Sequence, residues 1–197
     1  TLIITVNHNL VYMGTRGCRT ITSNPEYSEP DLMKDVDYLL IQAREKGGYD
    51  GDKLDVSKLI DYVNTTNPTE RISLVYAQME PATSGSLTYE ENKWIIRVNK
   101  NHNYKRQRFT ILHELGHYML HRNKLQSFED EIFFRAGIKG DIEYRANEFA
   151  SKLLMPEDSV RKAISDGIKN LGMLAEHFDV SSPAMKLRVQ ELGYKLK

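Results

Sequence analysis

Cysteine is almost absent from the sequence, since Cys18 is the single one among 197 residues. One cysteine excludes an intrachain disulfide and a zinc site built from several thiolates. It also fits a reducing compartment, so a cytoplasmic protein is expected. Cys18 itself is interpreted as a bystander.

The sequence also lacks an excess of charge and a long apolar run. Lys+Arg and Asp+Glu each number 27, so the formal net charge is zero and gives no overall attraction to nucleic acid or anionic membranes. No apolar run approaches the roughly 18 residues of a membrane span. The opening TLIITV is too short for the core of a signal peptide. We therefore expect neither a membrane partner nor direct nucleic-acid binding, and the oligomeric state is left open.

Patterning divides the chain into three parts. Residues 1–30 are irregular, because glycine and proline interrupt any period. Residues 31–156 alternate between helical and strand patterns, which predicts one α+β domain. Residues 157–197 read as two or three short helices and form a predicted helical tail.

Periodicity predicts the elements of the α+β domain. Helical spacing covers four stretches, namely 31–46, 55–63, about 104–121 and about 141–154. Stretches rich in β-branched and aromatic residues predict three strands, at 72–79, 84–90 and 93–99. Their close spacing favours a small antiparallel three-stranded sheet. The last strand, KWIIRVN, is interpreted as the sheet edge or, equally, as a core strand.

Residues 109–117, FTILHELGH, carry the chemistry that the rest of the chain lacks. His113 and His117 are four residues apart, so on a helix they share one face and suit two imidazole ligands on one zinc ion. Glu114 is rotated by about 100° and would act as general base toward a water molecule at the metal. Gly116 suggests that another element packs closely there. A chance match is the alternative, but unpartnered polar groups on so apolar a helix would be costly to bury.

A catalytic zinc site needs a third protein ligand. His121 lies on the same helix and is interpreted as a supporting residue, because one straight helix cannot wrap three histidines around one ion. The stretch 142–156 places Glu143 on one stripe with two alanines, which would let that helix pack against the first. Glu148 is a competing carboxylate, and Asn147 is a candidate to orient a ligand. An exposed Glu143 on an ordinary amphipathic helix is the alternative.

The block RQRFTILHELGHYMLH followed by EYRANEFASKLLMP resembles the ImmA/IrrE family of metallo-endopeptidases, over roughly residues 55–160. The resemblance implies a zincin-like fold of the gluzincin type. It also implies that His113, His117 and Glu143 are metal ligands and that Glu114 is catalytic. Zn²⁺ is the expected ion, although such ligands also suit Mn²⁺, Fe²⁺ or Co²⁺. The first 50 residues match less clearly, and no role is carried over to them.

The same resemblance implies a function. Members of the family are similar in cleaving helix-turn-helix transcriptional repressors, which relieves repression. The expected partner is therefore a protein substrate cut at a specific peptide bond. Two rivals stay open: a catalytically silent metal-binding regulatory module, and a DNA-binding regulator acting through the tail. The tail resembles a helix-turn-helix, but its seven Lys/Arg against six Asp/Glu leave a balance of only +1.

Several features remain without an assigned role. The residue that stabilises the oxyanion is not ranked among Tyr89, Tyr104, His102 and Arg108. Two longer stretches also stay open, and each has two readings. The basic stretch 100–108 is interpreted as a solvated loop and helix start or as a surface for an acidic partner or nucleic acid. The stretch 128–134 is interpreted as a flap near the cleft or as an apolar anchor.

Overall fold

The computed structural model describes residues 35–125 and 138–195. The predictions for residues 1–30, for Cys18 and for the stretch 128–134 lie outside the described residues. Helices of the described ranges are all too short or too polar to cross a membrane.

Two capped helices and a small hairpin begin the described chain. Helix α1, Val36–Glu45, starts after Asp35, whose carboxylate accepts a hydrogen bond from the backbone N–H of Asp37. Strands β1, Tyr49–Asp50, and β2, Lys53–Leu54, form an antiparallel hairpin that the sequence analysis did not predict. Helix α2, Val56–Thr66, follows at once and is capped by Asp55. This unit supplies Leu39, Leu54, Leu59 and Val63 to the core.

The main sheet has three strands, in the order β3-β5-β4. They are β3, Ile72–Ala77, β4, Gly85–Glu90, and β5, Lys93–Asn99. β5 pairs antiparallel with β4 but parallel with β3. The predicted antiparallel sheet is therefore wrong for one of its two pairs. Reading residues 93–99 as the edge is also wrong, and the alternative of a core strand is confirmed.

The burial of β5 and the loop before β4 explain this topology. Trp94, Ile96 and Val98 are 2%, 0% and 0% exposed, and a strand with such a face is stabilised most at the centre of a sheet. The loop 78–84 carries the chain past β5 so that β4 pairs on its far side. Asn99 holds this loop, because its Nδ2 donates to the carbonyls of Met79, Glu80 and Thr83.

Two long helices pack beneath the sheet. Helix α3, Tyr104–Leu125, contacts β4 and β5, and helix α4, Ile138–Leu154, packs along α3. The Trp94 and Tyr118 rings meet edge to face with centroids 5.7 Å apart, which ties the sheet to α3. A Cβ on Gly116 would lie 3.1 Å from the Ala146 Cα, so glycine allows the two helices to approach closely. The close packing predicted from Gly116 and from alanine in α4 is confirmed.

Three short helices complete the described chain. They are α5, Glu157–Ser165, α6, Leu171–His177, and α7, Ser182–Glu191. Asn170 and Ser181 cap the last two through their side chains. Val160, Leu174 and Phe178 belong to the same buried cluster as the sheet and α3. The architecture is α+β as predicted, whereas the boundary at residue 156 stays a prediction.

Candidate metal centre

The two histidines of α3 face one another across one helical turn. Their Nε2 atoms are 3.1 Å apart, and their rings are nearly perpendicular, at 85°. The helix imposes this arrangement, because residues four apart project from one face. The side chains of His113 and His117 are 17% and 12% exposed, so they lie at the floor of a cleft.

Glu143 reaches this pair from α4. Its Oε2 lies 3.2 Å from His113 Nε2, and its Oε1 lies 3.4 Å from His117 Nε2. The ligand atoms of the three residues all lie within 4.8 Å of one another. The contact depends on how closely α3 and α4 approach at Gly116. The structure therefore brings together the three residues that the sequence predicts as metal ligands.

These three side chains fit a divalent ion. Zinc bonds to nitrogen and oxygen at about 2.0–2.2 Å, so two ligands in a tetrahedral set are about 3.3–3.5 Å apart. The observed separations of 3.1, 3.2 and 3.4 Å lie close to that spacing. Two imidazoles and one carboxylate also match the donor set of catalytic zinc sites. All three donors line the cleft, so a further ligand of the ion could enter from that side.

Asn147, one turn after Glu143, fixes the ring of His113. The His113 Nδ1 lies 3.0 Å from Asn147 Oδ1. Since an amide oxygen only accepts, Nδ1 carries the proton and donates it, which leaves the lone pair of Nε2 facing Glu143 and His117. The prediction that Asn147 orients a ligand residue is confirmed as a contact. Glu148 instead pairs with Lys152 at 3.0 Å, on another face of α4.

Glu114 lies beside the three donors in a confined position. It is 8% exposed, and a Cβ built on Gly85 of β4 would come within 3.4 Å of its Oε1. Burial, and then the negative charge of Glu143, raise the pKa of Glu114 to about 7. A cation held by the donors would oppose this rise by stabilising the charged carboxylate. A carboxyl group that titrates near neutrality beside the donors can exchange protons with a reacting molecule.

An open cleft of about 430 Å³ lies above these residues. Its walls are the start of β4 on one side and α3 and α4 on the other, and they include Ser84, Gly85, Arg106, Phe109 and Thr110. Phe109 stacks against His113 with ring centroids 6.5 Å apart. The volume is large enough for a short stretch of polypeptide but not for a folded domain.

The unranked oxyanion candidates do not line this cleft. Arg108 is 3% exposed, and its guanidinium donates hydrogen bonds to backbone carbonyls outside the cleft. Tyr104 is 64% and Tyr89 45% exposed, and His102 Nε2 contacts the carbonyl of Pro81. The side chain of His121 lies outside the described residues.

Arg106 and Thr110 belong to the cleft wall and were not predicted from the sequence as site residues. They precede His113 by seven and three residues, so the helical period places them on its face. That period was the signal that could have identified them. The stretch 100–108 was judged by its charge instead.

The comparison with known families covers this same region. Residues 69–190 match the family model of peptidase family M78, described as the IrrE N-terminal-like domain. The chain belongs to the ImmA/IrrE family of metallopeptidases. The matched range contains the three donors and Glu114, and membership in this family implies a divalent metal. The resemblance inferred from the two sequence blocks is confirmed.

Two individual relatives support this membership to different degrees. Metallopeptidase ImmA of Bacillus subtilis (strain 168) is 29% identical over 104 residues, which cover 52% of this chain and 59% of that protein. The match therefore spans less than two thirds of that relative. A Mycobacterium tuberculosis transcriptional regulator has a similar structure, with a TM-score of 0.56. That match covers 82% of this chain and 55% of the other at 17% identity, so it shows a likeness of fold alone.

Proposed function

We propose that this ImmA/IrrE-family chain is a zinc-dependent endopeptidase with a zincin-like catalytic site. The observation that carries the proposal is the set of three donors, 3.1–3.4 Å apart, with a buried carboxyl group beside them. His113, His117 and Glu143 would hold the ion. A divalent ion in that position supplies Lewis acidity to a scissile carbonyl and to water.

Glu114 is the proposed general base. It would accept a proton from the attacking water and later deliver that proton to the amine that leaves. Its burial against Gly85 supports this role, because a confined carboxyl group beside the donors is held within reach of a water molecule there. Asn147 would keep His113 in the tautomer that binds the ion.

The exposed edge of β4 is the proposed seat for the substrate backbone. Within the described sheet, β4 pairs on one side only, with β5, and its first residues line the cleft. An extended peptide can bind to such an edge through backbone hydrogen bonds. Peptide bound there would pass over Glu114 and the donors. This assignment replaces the one that the sequence analysis made for residues 93–99.

The proposed substrate is a helix-turn-helix transcriptional repressor, and its cleavage would relieve repression. This step rests on the resemblance of the two sequence blocks to the ImmA/IrrE family. The alternative hypothesis, a regulator that binds DNA through the tail, gains no support from α7. Arg188 is 6% exposed and its Nε donates to the carbonyl of Met155, so it is engaged within the fold.

A direct test is to incubate the zinc-loaded chain with helix-turn-helix repressors, beginning with any that a neighbouring gene encodes, and to measure product masses. We expect two fragments whose masses add up to that of the repressor plus one water. Glu114→Gln is the matched control, because it keeps the size of the side chain and leaves the three donors unchanged. It should bind zinc like the unaltered chain and cut at least about 100-fold more slowly.

Two outcomes would contradict the proposal. Cleavage at an unchanged rate by Glu114→Gln would remove the assignment of the general base. An intact repressor, together with intact random peptides, after incubation with fully zinc-loaded chain would favour the catalytically silent regulatory module.

A further inference from the structure

The cations of the stretch 100–108 have different environments. Lys105 pairs with Glu176 of α6. Arg108 is buried, where it pairs with Asp179 and donates to backbone carbonyls. Arg106 is exposed and lines the cleft above the candidate metal centre. The basic stretch therefore contributes one guanidinium to the cleft, whereas two of its other cations hold the tail.

Arg106 is oriented by a neutral partner. Its Nε and Nη2 both donate to the hydroxyl of Ser84, at 3.2 and 2.8 Å. Ser84 lies directly before β4, and its carbonyl accepts a hydrogen bond from Asn99. Among the described residues, no carboxylate forms an ion pair with Arg106. A guanidinium has five N–H donors, so the bonds to Ser84 leave three of them for a ligand.

The position of Arg106 along α3 sets which part of a bound peptide it would meet. Arg106 precedes His113 by seven residues on the same face, which is about 10 Å along the helix axis. An extended peptide rises by about 3.3 Å per residue. For a peptide that runs along α3, the guanidinium would therefore lie about three residues from the donors.

We infer that Arg106 selects substrates that carry Asp or Glu within about three residues of the scissile bond. The inference rests on the proposed peptidase function and adds a substrate class to it. A guanidinium held at one edge by Ser84 presents its other N–H groups in a fixed fork, which matches the two oxygens of a carboxylate. Lysine at this position would keep the charge without that geometry.

The test is selection from a random peptide library on zinc-loaded Glu114→Gln, which in the proposed mechanism cuts at least about 100-fold more slowly than the unaltered chain. We expect bound peptides to be enriched about fivefold in Asp or Glu at one position, a value typical of a partly exposed charged pair. Arg106→Ala should abolish the enrichment, and Arg106→Glu should replace it with Lys and Arg. Ser84→Ala, which keeps the charge but removes the tether, should reduce the enrichment without abolishing it.

Lys100→Ala is the matched control, because Lys100 belongs to the same basic stretch and is exposed but does not line the cleft. It should keep the full enrichment. Equal loss in Lys100→Ala and Arg106→Ala, enrichment that survives Arg106→Ala, or no enrichment at all would each overturn the inference.

Cleavage of the same library by the chain with Glu114 intact separates this inference from the proposed function. Cut peptides should carry the acidic residue within about three positions of the new terminus. Acidic enrichment without any cutting would support the Arg106 site and contradict the peptidase. Cutting without acidic enrichment would support the peptidase and contradict the Arg106 site. A chain that neither binds nor cuts the library contradicts both.

Discussion

The two sides of α3 differ in how their polar groups are satisfied. On the side of the hairpin and the tail, Arg108 is 3% exposed and donates to the carbonyls of Leu54, Phe178 and Asp179. On the side of the cleft, the imidazoles and the carboxylate of Glu143 face one another at 3.1–3.4 Å, and Glu114 lies beside them with a raised pKa. The fold thus gives both Nη atoms of Arg108 a backbone carbonyl as partner. It leaves polar groups converging where a ligand would complete them.

Removing the buried guanidinium of Arg108 is expected to lower the free energy of unfolding more than any other change considered below. Arg108→Met keeps an apolar stem but leaves three carbonyls without their donor, so we expect the free energy of unfolding to fall by about 3 kcal/mol. Arg106→Met makes the same chemical change two residues away, on the cleft side. It should change the free energy of unfolding by no more than about 0.5 kcal/mol. Urea unfolding measures both, and equal losses would contradict the contrast between the two sides.

Gly85 tests how tightly the cleft wall packs on α3. A Cβ there would come within 2.5 Å of Thr110 Cγ2 and 2.7 Å of the Arg97 carbonyl, so β4 would have to shift. We expect Gly85→Ala to lower the free energy of unfolding by about 2 kcal/mol, as overpacking does. Gly140→Ala in α4 is the control, because a Cβ there meets nothing within 4 Å and should add up to about 1 kcal/mol. A stable Gly85→Ala chain would show that the wall is loose.

A substitution at Gly116 tests whether the close approach of α3 and α4 places Glu143 beside the histidines. An added methyl would press on Ala146 at 3.1 Å and on the Phe149 ring at 3.3 Å. We expect the strain to be offset in part by the gain of about 1 kcal/mol from replacing glycine in a helix, so stability changes little. The affinity for zinc should nevertheless fall about tenfold, as for changes that displace ligands indirectly. Competition with a zinc chelator measures this affinity. An unchanged affinity would show that the close approach of the two helices at Gly116 does not position Glu143.

The smallest expected effect concerns the exposed edge of the tail. The hydrogen bond from Arg44 of α1 lowers the pKa of Asp158 in α5. Because the folded pKa lies below the unfolded one, the pair stabilises the fold above the unfolded pKa. That contribution is lost as the pH falls through the folded pKa. Asp158 is 65% exposed, so screening limits the contribution to a few tenths of a kcal/mol.

Thermal unfolding of Arg44→Met and the unaltered chain should therefore differ slightly at pH 7 and not at a pH below the folded pKa of Asp158. The double variant Arg44→Met, Asp158→Asn and the single variant Asp158→Asn complete a double-mutant cycle, which gives the interaction energy of the pair at each pH. A difference that persists in acid would assign the effect of Arg44 to packing on Tyr49, whose ring centre lies 5.9 Å from its guanidinium.

The candidate site could be predicted largely from the sequence because its geometry is local. The spacing of His113 and His117 fixes their common face once the segment is helical. Glu143 and Asn147 follow from the period of a second helix, so their mutual position needed no tertiary information. The contact between the two helices was expected from their small residues and from the family resemblance, and Gly116 and Ala146 do meet.

The sheet order and the cleft wall could not be predicted in the same way. The parallel pairing of β3 with β5 depends on a loop that passes a third strand, whereas sequence patterns report only local spacing. The choice between centre and edge for β5 depends on what covers each face. The hairpin β1–β2 was missed although the pair Gly51-Asp52 between the strands is a typical turn signal, because two-residue strands show no alternation.

Zinc content and coordination test the central claim most directly. After dialysis against zinc, elemental analysis should give one ion per chain. X-ray absorption should show two imidazole nitrogens and carboxylate oxygen at about 2.0–2.2 Å. The variant with His113→Ala, His117→Ala and Glu143→Ala together should retain no zinc while staying folded. An unaltered chain that binds no zinc, or a triple variant that binds as much, would contradict the account.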